Sequence, residues 1–372
     1  MSVPAVLLVI AVLIVLAPVA IALWVTRRYR IETLPDERHV AVTGDGWHLA
    51  MHRYRPRAEG PGAGPVILCH GLLANRANLD LDDRRSLARH LSREGFDAWV
   101  LELRGAGLSR DEKGGRGLTR ITFDDYVAHD LPAAIDTVCR ETGVDEVQWV
   151  GHSMGGMVLY AYLSTRDDPR VRSATTIASP LDFQVVARRT RSLLRLRPLL
   201  RLGPVSLGWI LRGMLPFLRM SESEKVHIGV LRENLTGREL SEILVNVIEG
   251  FGAPGVLAQF GDWLERGTFA SRDGKLDYGA LTHLRCPLLA IAADKDLLTP
   301  PASVTPAVDR APSPEKVYRL FGRACGDDRD FGHGDIVLSD AARERVYPVV
   351  ADWLVRHAPK PLPPRTEAPA VQ

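Results

Sequence analysis

Apolar residues run from Val3 to Val25 without a charged break. As an α-helix that run would extend about 35 Å at ~1.5 Å per residue, enough for a bilayer core of ~30 Å. Trp24 and then Arg27, Arg28 and Arg30 follow it, while no Lys or Arg precedes it. The segment 1–30 is therefore expected to be a membrane-spanning anchor with a basic flank, the rest of the chain lying on the cytoplasmic side. A competing reading is a cleaved export signal, since Pro18 and Ala20-Ile21-Ala22 have the form of a processing site. Against it, the run lacks a positive leader and is longer than such signals need. Beyond the anchor the pattern changes to short apolar runs and amphipathic stretches. Val40-Ala41-Val42 and Leu49-Ala50-Met51 flank an Asp45-Gly46 turn and predict a hairpin. Strands are expected at Val66 to Cys69, Ala98 to Leu103, Val147 to Val150, Thr175 to Ala178, Leu288 to Ala292 and Val317 to Phe321. Helices are expected at Arg84 to Glu94, Phe123 to Glu141, Met154 to Thr165 and Ala341 to Arg356.

Strands alternating with helices imply an α/β fold with a mostly parallel central sheet covered by helices on both faces. The alternation stops between Ala178 and Leu288, a gap of about a hundred residues where one crossover needs far fewer. The expected organisation is an anchor over 1–30, a core in two halves over 38–182 and 284–357, an inserted helical cap over 183–283, and a disordered Pro-rich tail over 358–372. Lys and Arg number 47 and Asp and Glu 45, a net charge of +2, which gives no basic excess for a nucleic-acid partner. The four cysteines (Cys69, Cys139, Cys286 and Cys325) form no CxxC pair, and no Cys/His cluster has zinc spacing. No metal and no cofactor is implied.

Parallel sheets place their chemistry at the C-terminal ends of the strands. After Val147 to Val150 comes Gly151-His152-Ser153-Met154-Gly155-Gly156 and then helix-forming sequence. This is a G-x-S-x-G elbow between strand and helix, with glycines because so sharp a turn leaves no room for neighbouring side chains. Ser153 is the candidate nucleophile. A serine hydroxyl needs a base, itself oriented by a carboxylate. Asp294 and Asp296 follow the strand at Leu288, and His333 follows the strand ending at Phe321. Asp296 is preferred to Asp294 as the acid, since it stands just before the Leu297-Leu298-Thr299-Pro300 turn, and His333 is the base. The backbone N–H groups of Met154 and of Leu72, the latter in His70-Gly71-Leu72-Leu73, are the candidate donors to an oxyanion. His70 is expected to brace its loop. Asp80, Asp82 and Asp83 read as a solvated helix start rather than a metal site.

Across 40–357 these residues resemble the α/β-hydrolase superfamily. Several segments are similar to its acid-lipase branch: His70-Gly71-Leu72-Leu73 with Asn78, Trp99 before Arg104-Gly105, Asp130 to Asp136, and His333-Gly334-Asp335-Ile336 with Val346-Tyr347-Pro348. The triad that the resemblance implies falls on Ser153, Asp296 and His333. Acid lipases carry Gln after the nucleophile, where this chain has Met154. The C-terminal block also resembles polyhydroxyalkanoate synthases, which use Cys at the elbow where this chain has Ser153.

The expected function is that of a membrane-anchored serine hydrolase, cleaving esters with a hydrophobic acyl or alcohol group through an acyl-enzyme. Two alternatives stay open. The same triad would serve an acyltransferase or thioesterase, and the same scaffold would serve a non-catalytic lipid- or partner-binding protein. The first part of the insertion, from Phe183 to Met220, holds eight arginines and no Asp or Glu, interleaved with Leu and Trp. It reads equally as a stretch lying on an anionic membrane surface and as an ordinary cap helix with solvated arginines.

Overall fold

The Asp-Gly turn closes a hairpin, as its spacing predicts. β1 (Glu37–Val42) and β2 (His48–Tyr54) pair antiparallel. Gly46 takes φ +88°, and its N–H meets the Thr43 carbonyl at 3.0 Å. The computed structural model describes residues 3–58, 63–190, 207–220, 229–231 and 233–358. Six further strands extend the hairpin: β3 (Pro65–Cys69), β4 (Asp97–Leu101), β5 (Val147–His152), β6 (Val171–Ile177), β7 (Leu288–Ala293) and β8 (Lys316–Phe321). The order is β1-β2-β4-β3-β5-β6-β7-β8, with the β2–β4 pair antiparallel and every pair from β4 to β8 parallel.

Alternation along the buried strands divides the core between two faces. Ile67, Cys69, Trp99 and Leu101 pack with α3 (Leu131–Thr142) and α4 (Met154–Thr165). Val66, Leu68, Ala98 and Val100 pack with α2 (Leu87–Arg93) and with Val346, Tyr347 and Trp353 of the C-terminal helix, Asp340–Arg356.

Three sequence expectations change. The helix predicted as continuous from Phe123 to Glu141 contains a π turn over Tyr126–Asp130 before α3 begins. Pro132 has no N–H to continue an α ladder there. The widened turn delivers Asp130 to Arg104, whose backbone N–H and Nε donate to its carboxylate at 2.9 and 2.7 Å. The second change concerns the acidic run. Asp82 and Asp83 are partly exposed, but Asp80 is fully buried, accepting from Tyr54 Oη and Ser86 Oγ and pairing with Arg76 and Arg89.

The third is the N-terminus. α1 (Val3–Tyr29) is a helix whose side chains are described from Leu16 onward. Among the described residues no helix is long and apolar enough to cross a membrane. Nor does the segment stand apart from the globule. Ala22 and Val25 are buried, and Asn246 holds the helix end, donating to the Tyr29 carbonyl and accepting from Ile31 N–H, both at 2.9 Å.

Between β6 and β7 stand α5 (Phe183–Thr190), α6 (Leu207–Met220), α7 (Gly237–Asn246) and α8 (Pro254–Arg266). α7 starts with a capping box, in which Thr236 and Glu239 each satisfy the other's backbone N–H. α8 is held by aromatic contacts from Phe260 and Trp263 to Phe123, Phe183 and Phe269. The arginines and leucines expected over 191–206, and the tail beyond Ala358, lie outside the described residues.

Candidate active site

β5 ends at His152, and α4 begins at Met154. Ser153 makes the whole turn between them, at φ 53° and ψ −118°, a backbone conformation strained for any residue with a Cβ. The neighbouring glycines explain how the strain is held. A Cβ at Gly151 would lie 2.3 Å from the Gly156 nitrogen, and one at Gly155 would lie 2.2 Å from the Cys69 carbonyl oxygen. The elbow is thus clamped between its own helix and the end of β3. Gly155→Ala is expected to cost about 3 kcal/mol, since the atom it meets is backbone and cannot swing aside. A denaturant midpoint within error of the unaltered protein would refute this.

From Ser153 a chain of hydrogen bonds runs inward. His333 Nε2 lies 3.0 Å from Ser153 Oγ, and His333 Nδ1 lies 2.7 Å from Asp296 Oδ2. Asp296 is almost fully buried. Its Oδ1 accepts the N–H groups of Leu298 and Thr299 at 2.8 and 2.7 Å, and Thr299 Oγ1 donates to Oδ2. Burial alone would raise this carboxyl, but the His333 imidazole, the Thr299 hydroxyl and the backbone donors outweigh it. They hold Asp296 below the ordinary carboxylate range. Asp296 is therefore ionised at neutral pH beside His333. Asp294 points elsewhere, pairing with Lys295 at 3.0 Å and accepting from Phe331 N–H. The structure brings Ser153, His333 and Asp296 together and leaves Asp294 out.

Of the two candidate oxyanion donors, Met154 adjoins the nucleophile in the chain and the loop of Leu72 adjoins it in space. A Cβ on Gly71 would sit 3.2 Å from the Ser153 Cβ, so the loop carrying Leu72 lies directly against the nucleophile. Met154 is the first residue of α4, where N–H groups have no partner inside the helix. Among the described residues neither the Leu72 nor the Met154 N–H donates to a backbone acceptor. His70 braces this loop as expected: its Nδ1–H donates to the Gly71 carbonyl and its Nε2 accepts from Leu103 N–H. Both ring nitrogens are engaged in the neutral form, and burial lowers the imidazole pKa in keeping with that.

The roles of several supporting residues escaped the sequence reading. His152 Nε2–H donates to the His333 carbonyl at 2.9 Å, and its Nδ1, an acceptor in that tautomer, lies 3.0 Å from Asn78 Oδ1 without a proton between them. Asn78 Oδ1 in turn accepts Gly71 N–H at 3.0 Å. Nucleophile strand and base loop are thus joined by His152, and Asn78 beside it holds the oxyanion loop. Burial and the nearby His333 push the His152 imidazole down to about 3, so it stays neutral. On the other side of His333, Asp335 accepts from Gly332 N–H, Leu231 N–H and Asn234 Nδ2, tying the base loop to the insertion. Burial pushes the Asp335 carboxyl up to about 6 against these donors. His152 was visible as the x of the elbow, but nothing in one sequence says which distant group it meets.

The site opens into a cavity of about 310 Å³. Beyond Ser153, His152, Asn78, Thr299 and His333, its described lining is almost wholly apolar. Phe183, Val186, Leu207, Leu211, Leu240, Ile243, Leu244, Val247 and Phe260 come from the insertion. Among the described residues no group of three or more His, Cys, Asp or Glu side chains could hold a metal ion.

A parallel sheet carrying a strained Ser at a glycine elbow, with His and Asp reaching it from later strand ends, defines the α/β-hydrolase class. The chain belongs to that family: the model for the alpha/beta hydrolase fold matches residues 64–325. Among curated relatives, Lipase 3 of Drosophila melanogaster is 35% identical over 150 residues, covering 38% of each chain. Human gastric triacylglycerol lipase is 33% identical over 153 residues, covering 39% of this chain and 38% of that one. The match thus spans well under half the length of these relatives. The crystal structure of a soluble variant of monoglyceride lipase from Saccharomyces cerevisiae aligns over 89% of this chain and 99% of that one. Its TM-score is 0.58 at 16% identity, a likeness of fold. The lipase relatives support the resemblance to acid lipases.

Proposed function

We propose that this protein is a serine hydrolase of carboxylic esters with a long apolar acyl or alcohol group, held at a membrane by its N-terminal helix. The observation that carries the reading is the Ser153–His333–Asp296 chain opening into an apolar cavity. Ser153 Oγ attacks the ester carbonyl as His333 Nε2 takes its proton, and the C–O bond breaks when His333 returns that proton to the leaving alcohol. Asp296 holds the proton on Nδ1 and offsets the imidazolium charge, while the Leu72 and Met154 N–H groups receive the oxyanion. Water then repeats the sequence on the acyl-enzyme and releases the acid. The lipase relatives and the apolar lining support a hydrophobic ester as substrate.

A series of p-nitrophenyl esters of increasing acyl length tests the reading. Each methylene that enters the cavity adds ~0.8 kcal/mol of binding, so kcat/KM is expected to rise about three- to fourfold per carbon until the cavity is filled. A profile that falls from acetyl onward would refute an apolar acyl site. Free acid as product identifies water as the acceptor, whereas transfer to an added alcohol marks an acyltransferase.

A further inference from the structure

The roof of the cavity is also the partner of the N-terminal helix. α6 presents Leu207 and Leu211 to the cavity, and Leu215, one turn further, is buried. Around the same helix Gly213 meets the backbone of α1: a Cβ there would sit 3.1 Å from the Pro18 carbonyl oxygen. A glycine there lets the two helices cross closely without that tight contact. Past the crossing, α1 buries Ala22 and Val25 and is pinned at its end by Asn246 of α7, another cavity wall. The remaining faces of the pair turn outward. Ile210 and Met214 on α6 are 51% and 47% exposed, and Leu16, Val19, Leu23 and Trp24 on α1 are exposed as well.

Charge decides what such a surface fits. α1 and α6 contain no Asp or Glu, and Arg27, Arg28 and Arg30 stand exposed at the end of α1. Apolar side chains beside a cationic rim match the interface of an anionic bilayer, where the side chains enter the acyl boundary and the guanidinium groups meet lipid phosphates. We propose that α1 and α6 form one bilayer-docking surface, so that α1 holds the roof of the cavity against an anionic membrane. The substrate is then an ester already resident in that membrane. The inference rests on the ester-hydrolase reading above and adds what α1 does for it.

The test uses the full-length protein on two substrates: a long-chain monoacylglycerol carried in vesicles and water-soluble p-nitrophenyl butyrate. Vesicles are phosphatidylcholine with or without phosphatidylglycerol. Vesicle-borne ester is expected to turn over at least about tenfold faster with phosphatidylglycerol present. The double variant Ile210→Asp/Met214→Asp alters exposed residues that do not line the cavity. It is expected to lose at least about tenfold on vesicle-borne ester and to keep the soluble-ester rate within about twofold. Gly213→Leu, which would wedge α6 away from Pro18, is expected to act in the same direction; if it misfolds, the surface variant still decides. Unchanged vesicle turnover in the double variant would overturn the docking surface, as would equal rates on the two vesicle types. So would a double variant that instead abolished self-association, which would assign the face to a second copy. An unaltered chain inactive on the soluble ester and unlabelled by a fluorophosphonate would sink the hydrolase reading itself.

Discussion

With Ser153→Ala, turnover of a soluble ester is expected to fall by about 10⁴ to 10⁶, and a fluorophosphonate adduct found on Ser153 in the unaltered chain should vanish. The reason lies in the geometry. His333 Nε2 at 3.0 Å from Ser153 Oγ is placed to take one proton, and a methyl group offers none. His333→Ala is expected to cost a similar factor, and the double variant no more than either alone, because the two groups act as one unit. The substitutions leave the fold nearly intact, since the strain at Ser153 comes from the backbone and its glycine neighbours. Undiminished turnover in Ser153→Ala, with the adduct mapped elsewhere, would remove the nucleophile from the proposal.

Asp296→Asn should lower kcat by about 10⁴ while leaving KM within a few-fold. Oδ1 is committed to two backbone N–H groups, those of Leu298 and Thr299. An amide placed there must keep its oxygen toward them and turn its NH₂ toward His333 Nδ1. The imidazole then accepts on Nδ1 and carries its proton on Nε2, the tautomer that cannot take a proton from Ser153. Stopped assays on the purified variant, with circular dichroism to confirm the fold, read this directly. A loss below about tenfold would mean that another group orients the ring.

Much of the core was legible because its strands are buried on both faces and read as short apolar runs, as at Val66 to Cys69 and Leu288 to Ala292. The elbow was legible for a steric reason, since Gly151 and Gly155 have backbone where a side chain would go. Asp296 could be preferred to Asp294 only by its place before a turn; the deciding fact, burial with two backbone donors, is a matter of three dimensions. The π turn stayed hidden because Phe123 to Glu141 keeps an apolar period despite Pro132. Asp80 misled because composition cannot tell a solvated carboxylate from one enclosed by Arg76 and Arg89. The N-terminal run misled in another way: apolarity all round suggested lipid on every side, whereas Ala22 and Val25 face protein.

The contact of Gly155 with the carbonyls at the end of β3 has a consequence for how chains of this build diversify. The attacking oxygen is located by strands, a turn and a loop that precede the insertion in the chain and fix one another's places. Asp335 through Leu231 and Asn234, Gly334 N–H through the Gly229 carbonyl, and Asp330 through Glu233 and Asn234 join the base loop to one stretch of what lies between β6 and β7. The rest of that segment, away from 229–234 and from Glu249 on the Leu73 carbonyl, can therefore be lengthened, shortened or exchanged by grafting while the chemistry stays where it is. A graft that keeps 229–234 and Glu249 inherits a working reaction centre and changes only what reaches it.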